Sequence, residues 1–147
     1  MLIVSACLAG INCKYNGGSS TNLKVRELVS RGEAIPVCPE QLGGCPTPRP
    51  AAEIFNSTGA DVLDGTGKIK RINGEDAAPE FIKGAEEVLN IARLAGCSKA
   101  ILKSKSPSCG CGNIYDGTFS GKLVPGNGVT AELLLRNGIE VLTENDI

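Results

Sequence analysis

A mostly parallel α/β sheet with flanking helices, Rossmann-like in layout and carrying a small β-hairpin insertion, is predicted by three features of the sequence. Short apolar runs alternate with helical patterns. The runs are continuous rather than strictly alternating, as in strands buried on both faces. No internal repeat or low-complexity linker divides the chain, so a single domain over residues 1–147 is expected.

The first run, LIVSAC (2–7), reads as a buried strand. TNLKVRELVSRGE (21–33) follows as a helix, with Leu23, Leu28 and Val29 near helical spacing and Gly32 as its stop. AIPVC (34–38) is a second strand whose length Pro36 limits. The longest helical pattern is APEFIKGAEEVLNIARLAGC (78–97), with Phe81, Ile82, Ala85, Val88, Leu89, Ala92 and Ala95 on one face and Gly96 at its end. KAILKS (99–104) is a third strand, GVTAELLLRNG (128–138) a helix and IEVLTE (139–144) a fourth strand. Between the second strand and the long helix, VLDGTGKIKRING (62–74) has the Asp-Gly-Thr-Gly punctuation of a hairpin.

Composition narrows the chemistry. A 147-residue chain buries roughly two-thirds of its unfolded surface, so no metal is needed as a folding staple. With 41% hydrophobic and 21% charged residues, a formal charge of −1 and five aromatics, nothing favours a nucleic-acid surface. No apolar run approaches the roughly 18 residues of a membrane span, and the opening segment lacks the basic flank of a signal peptide. The expected location is the cytoplasm, where seven cysteines, an odd number, read as metal ligands or reactive thiols rather than disulfides. Histidine is absent, which removes the commonest general base and nitrogen ligand.

Cys7 and Cys38 end the first two strands and Cys109 lies just beyond the third. The carboxyl ends of parallel strands share one sheet edge, where ligand sites form, so these three thiols are expected to meet. Cys13, Cys45 and Cys111 lie in the loops after the same strands and are expected around that point, while Cys97 reads as a small core residue. Spacing leaves three readings open: buried free thiols, zinc, or an iron-sulfur cluster. There is no CxxC pair, and the CxC of Cys109 and Cys111 is a weak signal.

The motifs SACLAGINCKYNGG, PVCPEQLGGCPTPRPAAEI, LKSKSPSCG and YDGTFSGKLVPGNGVTAELLLRNGIEV together resemble, almost end to end, the bacterial 2-thiouracil desulfidase family. The resemblance implies a 4Fe-4S cluster held by Cys7, Cys38 and Cys109, with one iron left open. It implies hydrolysis of a thiolated pyrimidine such as 2-thiouracil to the oxo base, with release of sulfide. In such a reaction Glu40 of CPE is the expected proton acceptor, and Ser108, then Ser106, are expected to bind substrate or orient water. Lys103 and Arg49 either bring positive charge to the site or are solvated, and Glu53 reads as structural. Cys45 or Cys111 could supply a fourth thiolate and close the site. The alternative function is a non-catalytic zinc, closed-cluster or redox-sensing module.

Overall fold

The computed structural model describes all residues from Met1 to Ile147. In chain order the strands are β1 (Leu2–Ser5), β2 (Ala34–Val37), β3 (Ala52–Phe55), β4 (Lys68–Arg71), β5 (Lys99–Leu102), β6 (Asn113–Tyr115), β7 (Leu123–Pro125) and β8 (Glu140–Thr143). The helices are α1 (Leu23–Ser30), α2 (Pro39–Leu42), α3 (Gly59–Leu63), α4 (Ala78–Ala95) and α5 (Val129–Arg136), with 3₁₀ turns at Ala6–Ala9 and Glu144–Asp146.

Four strands form one wholly parallel sheet in the order β2-β1-β5-β8, with Ile3 beside both Ile35 and Ala100 and Ile101 beside Leu142. Successive side chains on a strand face opposite ways, and the core divides accordingly. Ile3, Ala100 and Leu102 pack with Val88 and Ala92 of α4 and Leu134 of α5. Val4 and Ile101 pack on the other face with Val25 of α1. Helices on both faces of a parallel sheet are what the continuous apolar runs require. Pro36 is accommodated because β2 is an edge strand, where a missing ladder donor is tolerated. Cys97 lies buried in the α4/α5 core, as expected of a small apolar residue.

The hairpin expectation for residues 62–74 is corrected. Val62 and Leu63 close α3, and β4 pairs antiparallel with β3, Ile54 opposite Ile69. The physical cause is a capping box: Thr58 Oγ1 accepts from the Asp61 amide while the Asp61 carboxylate accepts from the Thr58 amide at 2.9 Å. That reciprocal pair starts a helical turn before the Asp-Gly-Thr-Gly signal is reached. A second small hairpin, β6 with β7, lies outside the sequence expectation. Both pack in a subsidiary core around Phe81, Ile54, Ile69 and Ile114.

Two close backbone approaches fix the segments that carry the candidate site. A Cβ on Gly84 of α4 would stand 1.9 Å from the Pro39 carbonyl oxygen, and one on Gly43 would stand 1.9 Å from that of Glu80, so α2 lies directly on α4. The loop after β5 docks on α5: the Val129 amide donates to the Pro107 carbonyl at 2.9 Å and the Thr130 amide to that of Ser108 at 2.9 Å.

Candidate functional site

The carboxyl ends of β1, β2 and β5 open into a cavity of about 510 Å³ lined by Cys7, Cys13, Cys38 and Cys109 together with Glu40 and Ser108. Cys7 sits in the 3₁₀ turn that follows β1, Cys38 is the residue preceding α2, and Cys109 stands beyond β5 in the loop docked on α5. Ser5 and Lys103 tie the first and third of these ends together, the Lys103 amide donating to Ser5 Oγ at 2.8 Å.

Glu40 is held at both oxygens. Arg49 Nε donates to Oε1 at 3.0 Å, and Ser108 Oγ donates to Oε2 at 2.9 Å. Arg49 is itself nearly buried, 5% exposed at the side chain, and its remaining donors reach the carbonyls of Pro46 and Cys13 and the Thr47 hydroxyl. It therefore welds α2 to the Cys13 loop rather than being solvated. Ser106 Oγ accepts from the Cys109 amide at 2.7 Å and lies 3.4 Å from Ser108 Oγ, which makes it a support for the cysteine loop. Lys103 lines the cavity but its ammonium pairs with Glu144 at 3.3 Å. Glu53 spans β3 and the loop after β6, accepting from the amides of Gly117 and Phe119.

The expectation that Cys45 or Cys111 stands around the site is not met. Neither lines the cavity. Cys45 packs with Phe81 and Ile54 of the subsidiary core, near Arg71 at 3.9 Å, and Cys111 Sγ reaches the Val141 carbonyl at 4.0 Å on the α4/α5 side. The fourth thiol in the cavity is Cys13, whose backbone carbonyl lies 3.8 Å from Cys38 Sγ. Its turn had a sequence signal in Gly10, which takes φ 98 and reverses the chain after the first strand.

Three of the cavity thiols, Cys13, Cys38 and Cys109, are pushed toward the protonated form. Cys109 is pushed up to about 12 by burial, against the opposing hydroxyls of Ser5 and Ser108. For Cys13, the hydrogen bond from Cys38 favours the thiolate, yet the Cys7 contact and burial outweigh it and bring the value to about 11. Cys38 is raised further, by its hydrogen bond to Cys13 and then by burial. Above the ordinary value of 9.0 the unfolded chain has released protons that the folded chain still binds, so stability falls as pH rises through the interval from 9.0 to about 12. The metal-free protein is expected to lose on the order of 2 kcal/mol from Cys109 alone between pH 8 and pH 10.5, read as a drop in urea midpoint at constant m. Loading a metal must displace the same protons, so reconstitution should quicken with rising pH.

Four thiols, a carboxylate and a hydroxyl share one cavity at the carboxyl edge of a parallel sheet, in a chain without histidine. The model for the 2-thiouracil desulfurase family matches residues 2–146, and the chain belongs to that family. The uncharacterized protein YbbK of Bacillus subtilis (strain 168) is 50% identical over 147 residues, which is 100% of this chain and 97% of that protein. The solved structure of a 4Fe-4S-dependent thiouracil desulfidase, TudS, matches with a TM-score of 0.87 at 40% identity, covering 99% of this chain and 91% of that one. The resemblance carried by the sequence motifs is thus borne out, as is the parallel α/β fold.

The donor set suits an iron-sulfur cluster. Thiolates are the soft ligands such clusters take, and four thiols line the cavity with no histidine among them. No group of three His, Cys, Asp or Glu side chains is gathered closely enough to chelate one ion. A cluster asks for less convergence, because its ligands bind separate irons.

Proposed function

We propose that this protein is a 4Fe-4S-dependent desulfidase that hydrolyses a thiolated pyrimidine, such as 2-thiouracil, to the oxo base and sulfide. The observation that carries the reading is the 2.9 Å hydrogen bond from Ser108 to Glu40 inside the cavity that the cysteines line. Cys7, Cys38 and Cys109 would hold the cluster, one from each strand end. When bound, the cluster supplies Lewis acidity toward a thiocarbonyl sulfur.

The chain's own residues supply the proton chemistry. Hydrolysis exchanges C=S for C=O: water adds to the ring carbon, the C–S bond breaks, and one oxygen enters as one sulfur leaves. Glu40 accepts a proton from the attacking water at Oε2 and returns it to the departing sulfur, so the carboxylate ends as it began, and the second water proton leaves the new hydroxyl for solvent as the C=O forms and HS⁻ departs. Arg49 keeps Oε1 occupied and so fixes which oxygen faces the reaction. Ser108, on Oε2 and next to Cys109, orients the water or the substrate. No redox change is required.

Cys13 separates this reading from the alternative of a closed, non-catalytic site, since it lines the same cavity as the assigned ligands and could serve as the fourth. Anaerobic reconstitution tests both. Cys7→Ser, Cys38→Ser and Cys109→Ser are each expected to lose most bound iron, whereas Cys13→Ser should retain near four iron and release sulfide from 2-thiouracil. Iron loss in Cys13→Ser equal to that of the other three would make the site a closed one. Zinc in place of iron in the wild type would favour the structural module.

A further inference from the structure

Three of the five aromatic residues of this chain, Tyr15, Tyr115 and Phe119, line the same cavity as the cysteines. Phe119 is the unusual one. It takes φ 56, the left-handed region that a bulky L-residue adopts only under strain and that glycine adopts freely. Its conformation is held by Glu53, 9% exposed, whose Oε1 accepts the amides of Phe119 at 3.1 Å and Gly117 at 3.0 Å. Glu53 forms no ion pair, and its Oε1 is given to the two amides that fix this loop. Gly117 adds a second constraint, because a Cβ there would lie 2.6 Å from Phe55 Cα.

If residues 117–119 formed only a turn, glycine at 119 would satisfy it without strain. The loop instead carries an aromatic ring and over-determines its backbone, which is how strain persists where a side chain is needed in place. A planar pyrimidine offers a π-face, and an aromatic side chain is the matching surface.

We infer that Phe119 is the specificity residue against which the pyrimidine ring stacks, and that Glu53 is the positioning residue that holds it there; this rests on the desulfidase reading above. The contact recognises the ring and not its sulfur, so it selects planar heteroaromatic thiocarbonyls and should grip the oxo product equally.

The test uses reconstituted holoenzyme and two ligands, 2-thiouracil as substrate and uracil as inhibitor. Phe119→Gly suits the left-handed backbone and removes only the ring. It is expected to raise KM for 2-thiouracil and Ki for uracil in parallel by roughly ten- to hundredfold, with kcat within a few fold and iron content unchanged. Phe119→Tyr should restore both constants. Glu53→Ala should reproduce the KM effect, while Glu53→Gln, whose amide oxygen still accepts two N–H groups, should stay near wild type. A Phe119→Gly enzyme with wild-type KM and Ki, or one that loses kcat alone, would overturn the inference and leave the desulfidase reading standing. Wild-type protein with four iron that releases no sulfide from 2-thiouracil would overturn both.

Discussion

Glu40→Gln is expected to leave iron and acid-labile sulfide content unchanged while cutting sulfide release from 2-thiouracil by roughly 10²- to 10⁴-fold, the usual worth of a positioned acid-base group. The glutamine fills the same space but has no basic oxygen for the proton of the attacking water. Folding should survive, because Arg49 is not orphaned by the change. Breaking a buried ion pair costs about 3–5 kcal/mol when the partner is left alone. Here the guanidinium keeps the carbonyls of Pro46 and Cys13 and the Thr47 hydroxyl, at 3.1, 2.8 and 2.9 Å. Loss of turnover with intact metal content would locate the defect in proton transfer. Loss of iron instead would mean that Glu40 acts by holding α2, and the assignment would move to Ser108. Ser108→Ala should have a smaller effect than Glu40→Gln, since Arg49 still orients the carboxylate through Oε1.

What the sequence made legible was the sheet and the points where its strands end. Continuous apolar runs such as LIVSAC have one physical meaning when helical patterns lie between them, and Cys7 and Cys38 are placed by adjacency to those runs. Contacts made across the fold were not legible. Arg49 and Glu40 are nine residues apart with two prolines and a double glycine between them, and no periodicity encodes their 3.0 Å approach. Cys45 and Cys111 sit in the right loops yet turn into apolar cores, because a position in a turn does not fix the side chain's direction as it does in a strand. Cys13 lines the cavity as expected, but the turn that brings it there depends on the left-handed Gly10. Glu53 and Phe119 meet across 66 residues, and the aromatic wall appears only once β3 and the loop after β6 are side by side. Residues 62–74 failed for a local reason: two competing signals overlapped, and the Thr58–Asp61 box outweighed the Asp-Gly turn.

The geometry of α2 on α4 makes Gly84→Ala a second large-effect substitution, one remote from the chemistry. Intrinsic propensity alone favours alanine over glycine inside a helix by about 1 kcal/mol. The new methyl, however, would stand 1.9 Å from the Pro39 carbonyl oxygen and 2.7 Å from its carbon, which are backbone atoms that no rotamer change can move aside. Overpacking of this kind costs typically 1–3 kcal/mol and occasionally more, so the steric term wins and melting should fall by several degrees. The only relief is to lift α2 off α4, and α2 follows directly on Cys38 and carries Glu40 in its first turn. A displacement of about 1 Å can cost on the order of 10² in rate where reacting groups must align. Gly84→Ala is thus expected to load less iron than wild type and to retain about 1% of its sulfide release. Lys83→Ala, at the adjacent exposed position of the same helix, should change neither. Equal iron content and turnover in both variants would mean that the backbone contact between Gly84 and Pro39 does not set the position of Cys38, and that Arg49 alone anchors this wall of the cavity.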